Sequence, residues 1–205
     1  MKQILLTIVA SLLFLSLSAQ HIEEYDTVYN LGYYKAYYSE SIQTSSFVIY
    51  KLYKPTSKVS RKGLDFKAYN NLPHFNYSHS GYDKGHLVPA ADLSQSKQAL
   101  VSTFYYINAV PQTPELNRGS WKALETTIRN LSQTDSLLIV CGGCDYLPQN
   151  PLIPTNCFKV VYSLTTSEPV AYYIFSNDKE ATQTQLQNLL MLFPCDRIKE
   201  LYIGE

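Results

Sequence analysis

Hydrophobic positions along this chain follow three distinct patterns. The first is a continuous apolar run from Ile4 to Leu17, preceded by a lone Lys2 and followed by the small residues Ser18 and Ala19. This is the layout of a secretory leader, and the run is shorter than the roughly 20 residues a membrane-spanning helix needs. We expect a signal peptide over residues 1–19, cleavage near Ala19, no stable membrane insertion and export to the periplasm or the outside. Residues 20–205 contain no Pro-, Gly- or Ser-rich linker and have a length that one core can organise, so a single domain is expected there.

The second pattern is a series of short segments rich in β-branched and aromatic residues. They predict strands at Tyr33–Tyr38, Phe47–Tyr53, Thr103–Val110, Ser136–Cys141, Phe158–Leu164 and Val170–Phe175. The 18 tyrosines suit half-buried sheet faces. The third pattern is helical spacing, over Asn117–Leu131 and over Glu180–Leu192. In the first helix Trp121, Leu124, Ile128 and Leu131 share a stripe; at about 100° per residue Asn117 falls in its middle and Glu125 about 80° to one side. The mixture predicts an α+β fold with a largely antiparallel sheet. The stretch Thr56–Tyr82, with Gly63, Asn70, Asn71, Pro73 and Gly81, has little periodicity and reads as a long functional loop.

Charge changes the picture only locally. Lysine and arginine number 17 against 17 aspartates and glutamates, and removal of Lys2 with the leader leaves 16 against 17. A uniformly basic surface is therefore excluded. Lys51, Lys54, Lys58, Arg61, Lys62 and Lys67 nevertheless cluster with only Asp65 among them, a patch able to follow a phosphate backbone as well as to serve as a solvated loop. Cys141, Cys144, Cys157 and Cys195 are an even set in a chain expected to be exported, so disulfides are predicted, with three pairings open. A zinc site at Cys141-Gly-Gly-Cys144 lacks a second close pair or a following histidine.

Candidate chemistry concentrates between Gly81 and Glu125. His86 follows Gly85 and precedes Leu87-Val88-Pro89, so the chain bends and then extends, presenting an imidazole at a strand edge. A neutral imidazole accepts a proton from water near neutral pH. Asn117, facing the body of the protein, needs partners for its amide, and a cation satisfies the oxygen. Glu125 lies eight residues further on, roughly 12 Å along a regular helix, so the two do not easily bind one small ion directly. If Asn117 supplies the inner oxygen, Glu125 is a partner acting through water, an arrangement that suits Mg²⁺ better than Zn²⁺; the other reading of Asn117 is a residue that caps or hydrogen-bonds near the helix start. Alternatively, Glu125 pairs with Arg129 one turn away. A base, a cation and extra positive charge from Arg61 or Lys84 are what phosphodiester hydrolysis requires.

The segment Asp83-Lys84-Gly85-His86-Leu87-Val88-Pro89-Ala90-Ala91-Asp92 resembles the signature of the DNA/RNA non-specific endonucleases, Asp-Arg-Gly-His followed by apolar-x-Pro-Ala-Ala-Asp. Phe104, Asn108, Pro111-Gln112, Asn117, Trp121 and Leu124-Glu125 match further family positions in order, and weaker similarity runs from about Tyr33 to Asn177. The resemblance implies a ββα-metal (His-Me finger) nuclease whose mostly antiparallel central sheet is flanked by helices. It implies a secreted enzyme that cleaves DNA and RNA to 5′-phosphorylated products, contacts its substrate mainly through phosphates, and uses Mg²⁺, for which Mn²⁺ substitutes. It further implies His86 as general base, Asn117 as metal ligand, Glu125 as a holder of metal-bound water, Asn108 as a bond to the site near His86 and the scissile phosphate, and Arg61 as stabiliser of the transition state. Lys84 replaces the family arginine and loses its two-pronged fit to phosphate. A nuclease-like domain that binds nucleic acid or a protein without turnover is the competing expectation.

Overall fold

A computed structural model of the chain describes Ile22 and residues 24–184; the expected leader and most of the Glu180–Leu192 segment lie outside the described residues. The central sheet contains β1 (Thr27–Asn30), β2 (Tyr34–Ser39), β3 (Thr44–Leu52), β6 (Leu137–Leu147), β7 (Asn150–Ser163), β8 (Pro169–Ser176) and β9 (Gln183–Thr184), in that spatial order and antiparallel throughout. A separate two-stranded sheet joins β4 (Asp83–His86) to β5 (Ala109–Gln112). Among the described residues two α-helices, α1 (Lys97–Ser102) and α2 (Lys122–Leu131), accompany the sheets. The architecture is the expected α+β one.

Period-two alternation splits the core into two layers. Along β3, Val48, Tyr50 and Leu52 enter the layer shared with Trp121, Leu124 and Ile128, while Phe47 and Ile49 enter the layer on the opposite face. The middle stretches of β3, β6 and β7 are buried on both faces, which matches their mainly apolar segments Phe47–Tyr50, Leu137–Cys141 and Val160–Tyr162. Tyr34, Tyr37, Tyr38 and Tyr50 are each buried, more deeply than half-buried sheet positions require. Tyr34 donates to Ser102 O at 2.8 Å and Tyr50 to Asp92 Oδ2 at 2.9 Å, which satisfies their hydroxyls inside the core.

Several expectations change. The predicted strand Thr103–Val110 is instead the turn closing α1, a 3₁₀ turn at Tyr106–Asn108, and only then β5. Thr103 Oγ1 and Phe104 N bond back to Leu100 O and Val101 O, local partners that outcompete a sheet ladder despite the β-branched and aromatic composition. At the far end Asp178 Oδ1 accepts from the backbone N–H groups of Glu180 and Ala181, and Gln183–Thr184 pair with β8. The start of the expected Glu180–Leu192 helix is thus a turn and a strand.

The disulfide expectation is corrected for three of the four cysteines: Cys141, Cys144 and Cys157 are free and buried, while Cys195 lies outside the described residues. Strand geometry explains why. Cys144 enters one core layer and Cys141 and Cys157 the other. Cys141 is opposite Lys159, and Cys157 opposite Gly143, so these two thiols are diagonal neighbours. A diagonal Cβ separation near 7 Å far exceeds the roughly 3.8 Å of a disulfide.

Candidate active site

The cleft is built where β4, α2 and the loop before β4 meet. It has a volume of about 580 Å³ and is lined by Arg61, Lys84, His86, Asn117, Glu125 and Arg129 among others. Five residues singled out in the sequence are therefore brought together, namely Arg61, Lys84, His86, Asn117 and Glu125. Asn108 is not.

Asn108 is fully buried behind the cleft. Its Oδ1 accepts from Val88 N at 2.9 Å, and its Nδ2 donates to Val88 O at 3.0 Å and Thr103 O at 2.9 Å. Its own backbone carbonyl accepts from Leu87 N at 3.0 Å. The side chain thus acts as an extra rung that fixes the chain just after His86.

Strand β4 carries Lys84 and His86 at the mouth. Gly85 between them is required by packing, since a Cβ there would overlap the buried Gln112 side chain on β5. His86 lies against Phe66 and Phe104, with ring centroids at 4.6 and 5.1 Å, and its Nε2 is buried without a hydrogen-bond partner. Burial, reinforced by the charges of Arg61 and Lys159, pushes its imidazole down to about 3, so the ring is neutral at pH 7. A neutral ring is the form that accepts a proton.

The helix bearing Asn117 and Glu125 departs from the regular geometry expected for it. Its first turns, Leu116–Trp121, are π-type with a break at Gly119, and regular α-helix starts at Lys122. The break puts Leu116 rather than Asn117 into the core, and Leu131, the last residue of α2, is 39% exposed. It also removes the basis for a 12 Å rise between Asn117 and Glu125. Wide π turns recur where a helix must aim a side chain at a site.

Asp83 orients that side chain, a role the sequence reading did not assign. Asn117 Nδ2 donates to Asp83 Oδ2 at 2.9 Å; because a carboxylate only accepts, the amide nitrogen faces Asp83 and the carbonyl oxygen is left for another partner. Arg118 clamps the same carboxylate through Nε and Nη2, both at 2.7 Å. That two-pronged bond, joined by the Asn117 bond, holds the Asp83 carboxyl below its usual range despite partial burial. The one signal in the sequence was that Asp83 heads the motif; its partners on the Asn117 turn lie beyond α1 and β5 and meet it only in the fold.

Glu125 and Arg129 do not pair. Arg129 Nη1 instead donates to buried Asp92 Oδ1 at 2.6 Å, and Asp92 also accepts from Tyr50. Glu125 makes no hydrogen bond or ion pair with a described residue, and burial pushes its carboxyl up to about 7, with Lys159, Arg129 and Arg61 opposing that rise. Lys84 Nζ meets Asp65 Oδ1 at 3.0 Å and lies 5.6 Å from the Tyr106 ring centre. Lys159, on β7, is buried beneath the site, with Nζ 3.0 Å from Leu87 O, 3.3 Å from Cys141 Sγ and 4.8 Å from the Trp121 ring centre. A lysine inside an apolar run was the overlooked sign of this.

The cleft has the donor set of a weakly coordinating oxygen site. Among the described residues no three His, Cys, Asp or Glu side chains converge as a metal cage. One oriented amide oxygen beside an unpaired carboxylate suits a hydrated hard cation.

Comparison with known proteins gives a consistent result. The family model described as DNA/RNA non-specific endonuclease matches residues 19–202. Mitochondrial endonuclease G of Bos taurus is 40% identical over 111 residues, covering 46% of this chain and 37% of that protein. A nuclease of Nostoc sp. is 40% identical over 94 residues, covering 43% of this chain and 34% of that protein. The chain thus spans well under half the length of these curated relatives, one mitochondrial and one bacterial. A chain in the crystal structure of the EndoG/EndoGI complex shares the fold, with a TM-score of 0.67 at 21% identity over 81% of this chain and 83% of that one.

Proposed function

The chain belongs to the DNA/RNA non-specific endonuclease family, and from that premise we propose that it is an exported, Mg²⁺-dependent endonuclease hydrolysing phosphodiester bonds of DNA and RNA. The observation that carries this reading is the cleft itself, where an amide oxygen fixed by Asp83 lies in one cavity with a neutral imidazole and the cationic side chains of Arg61 and Lys84.

The division of labour follows from chemistry. His86 takes the proton of the attacking water, and the hydrophobic contacts with Phe66 and Phe104 keep its ring unprotonated and in place. Asn117 offers its oxygen to the cation, and Glu125 engages the cation's hydration shell. When bound, that ion supplies charge neutralisation at the phosphate and the leaving oxygen. Arg61 and Lys84 add positive charge at the phosphate as it gains negative charge in the transition state. Asn108 positions the turn after His86 without touching substrate. Contacts through phosphate carry no base information, which accords with cleavage of both DNA and RNA.

Digestion of a supercoiled plasmid and of an RNA by the purified protein tests this. Cleavage in Mg²⁺, arrest by EDTA and 5′-phosphate product ends are expected. Salt-sensitive binding with no product in Mg²⁺ would leave a binding domain instead. Export, with cleavage of the leader near Ala19 and the mature domain starting at residue 20, is part of the proposal and is checked by N-terminal sequencing of the protein recovered outside the cytoplasm.

A further inference from the structure

We propose that Lys159 is a positioning residue for the cleft: from its buried seat on β7 it fixes the backbone that carries His86 and holds a positive charge behind His86 and Glu125. The inference rests on the nuclease reading of the site but not on the metal.

A buried ammonium is costly, and a lysine with no exposed surface is normally paired with a carboxylate. Among the described residues no carboxylate lies within ion-pair distance of Lys159. Its Nζ is met by Leu87 O at 3.0 Å, by Cys141 Sγ at 3.3 Å and by the face of Trp121 at 4.8 Å. Two of these bear on the site. Leu87 follows His86 directly, and Trp121 Nε1 points at His86 O at 3.4 Å, a long contact. Trp121 also joins the break at Gly119 to the regular part of the helix that bears Glu125. One side chain therefore ties the His86 strand to that helix.

The charge adds a second role. The charged groups around His86 are Arg61 from the loop, Lys84 on its own strand, Arg118 from the π turn, Glu125, Lys122 and Arg129 from α2, and Lys159 from below. Arg61 is exposed and screened by solvent, whereas Lys159 is not. Its field disfavours a proton on His86 and favours a charge on Glu125. An apolar residue of similar length would fill the same space, often with no loss of stability. Retaining a lysine there is explained by what its charge does to the two groups that face the cleft.

The test compares Lys159→Gln and Lys159→Met with Lys159→Arg, each checked for folding by circular dichroism. In metal-free protein, NMR titration of the His86 imidazole should give a midpoint at least one pH unit higher in the neutral variants than in wild type, and a wild-type midpoint in the arginine variant. In the cleavage assay, kcat of the neutral variants should fall at least tenfold with KM within threefold, and the deficit should stay level from pH 6 to pH 8, because a ring that titrates near 3 in wild type remains neutral there after a rise of about one unit and the loss is one of position. An unchanged His86 midpoint in a folded neutral variant would overturn the proposal. So would unfolding of both neutral variants beside a folded arginine variant, which would assign Lys159 a purely structural role. If wild type cuts no nucleic acid, the nuclease reading fails while the NMR comparison still decides the positioning claim.

Discussion

Asp83 is the residue on which the chemistry of the cleft turns, because it fixes which end of the Asn117 amide faces the cation. Removing its carboxylate frees that amide and also releases Arg118. Partners that orient a metal ligand typically cost 10- to 100-fold when lost. Asp83→Ala should therefore raise the Mg²⁺ concentration giving half-maximal cleavage by at least about tenfold, measured in a metal titration of initial rates. Lys84 poses a different question, since it meets Asp65 and lies over Tyr106 with a point charge where the signature it resembles has the planar fork of arginine. Arginine can meet Asp65 and still present a second prong to phosphate. Lys84→Arg is expected to preserve or raise the cleavage rate, and a large loss in that variant would show that the site is tuned to lysine.

At the scale of elements, the site depends on how closely β4 and β5 approach. Gly85 faces Gln112, whose amide is buried and lacks partners, so little room exists for it to withdraw. Overpacking of this kind typically costs about 1–3 kcal/mol. Gly85→Ala should melt earlier than wild type by an amount of that order in thermal unfolding, with cleavage reduced further because His86 is carried on the displaced strand. Most sheet strands were legible because β-branched and aromatic runs coincide with strands buried on both faces. The helix of Asn117 and Glu125 was legible as a helix, but its π turn was not, since nothing in the spacing of Trp121, Leu124 and Ile128 announces a break at Gly119. The segment Thr103–Val110 misled for a related reason: Asn108 looks like a strand-end residue, yet its amide replaces three backbone partners and bends the chain into a 3₁₀ turn. The motif residues of the cleft were legible from their order alone. Lys159 was hidden in an apolar strand, and its meaning depends on the sheet register that seats it under Leu87.

For the whole molecule, an almost neutral chain concentrates its usable positive charge at one mouth. Arg118 and Arg129 line the cleft but are taken up by Asp83 and Asp92, whereas Arg61 and Lys122 form no ion pair with a described residue. The two-layer sheet provides the rigid backing on which β4 and α2 hold a base and a cation ligand across one cavity. Among the described residues no helix is long and apolar enough to cross a membrane. The account stands on His86 acting as the base within that cavity, and the most direct measurement is the initial rate of plasmid and RNA cleavage by wild type and by folded His86→Ala in saturating Mg²⁺. A positioned base is worth about 10²- to 10⁴-fold, so the variant should fall by at least about a hundredfold on both substrates while its binding to nucleic acid persists. Equal cleavage by the two proteins would contradict the account.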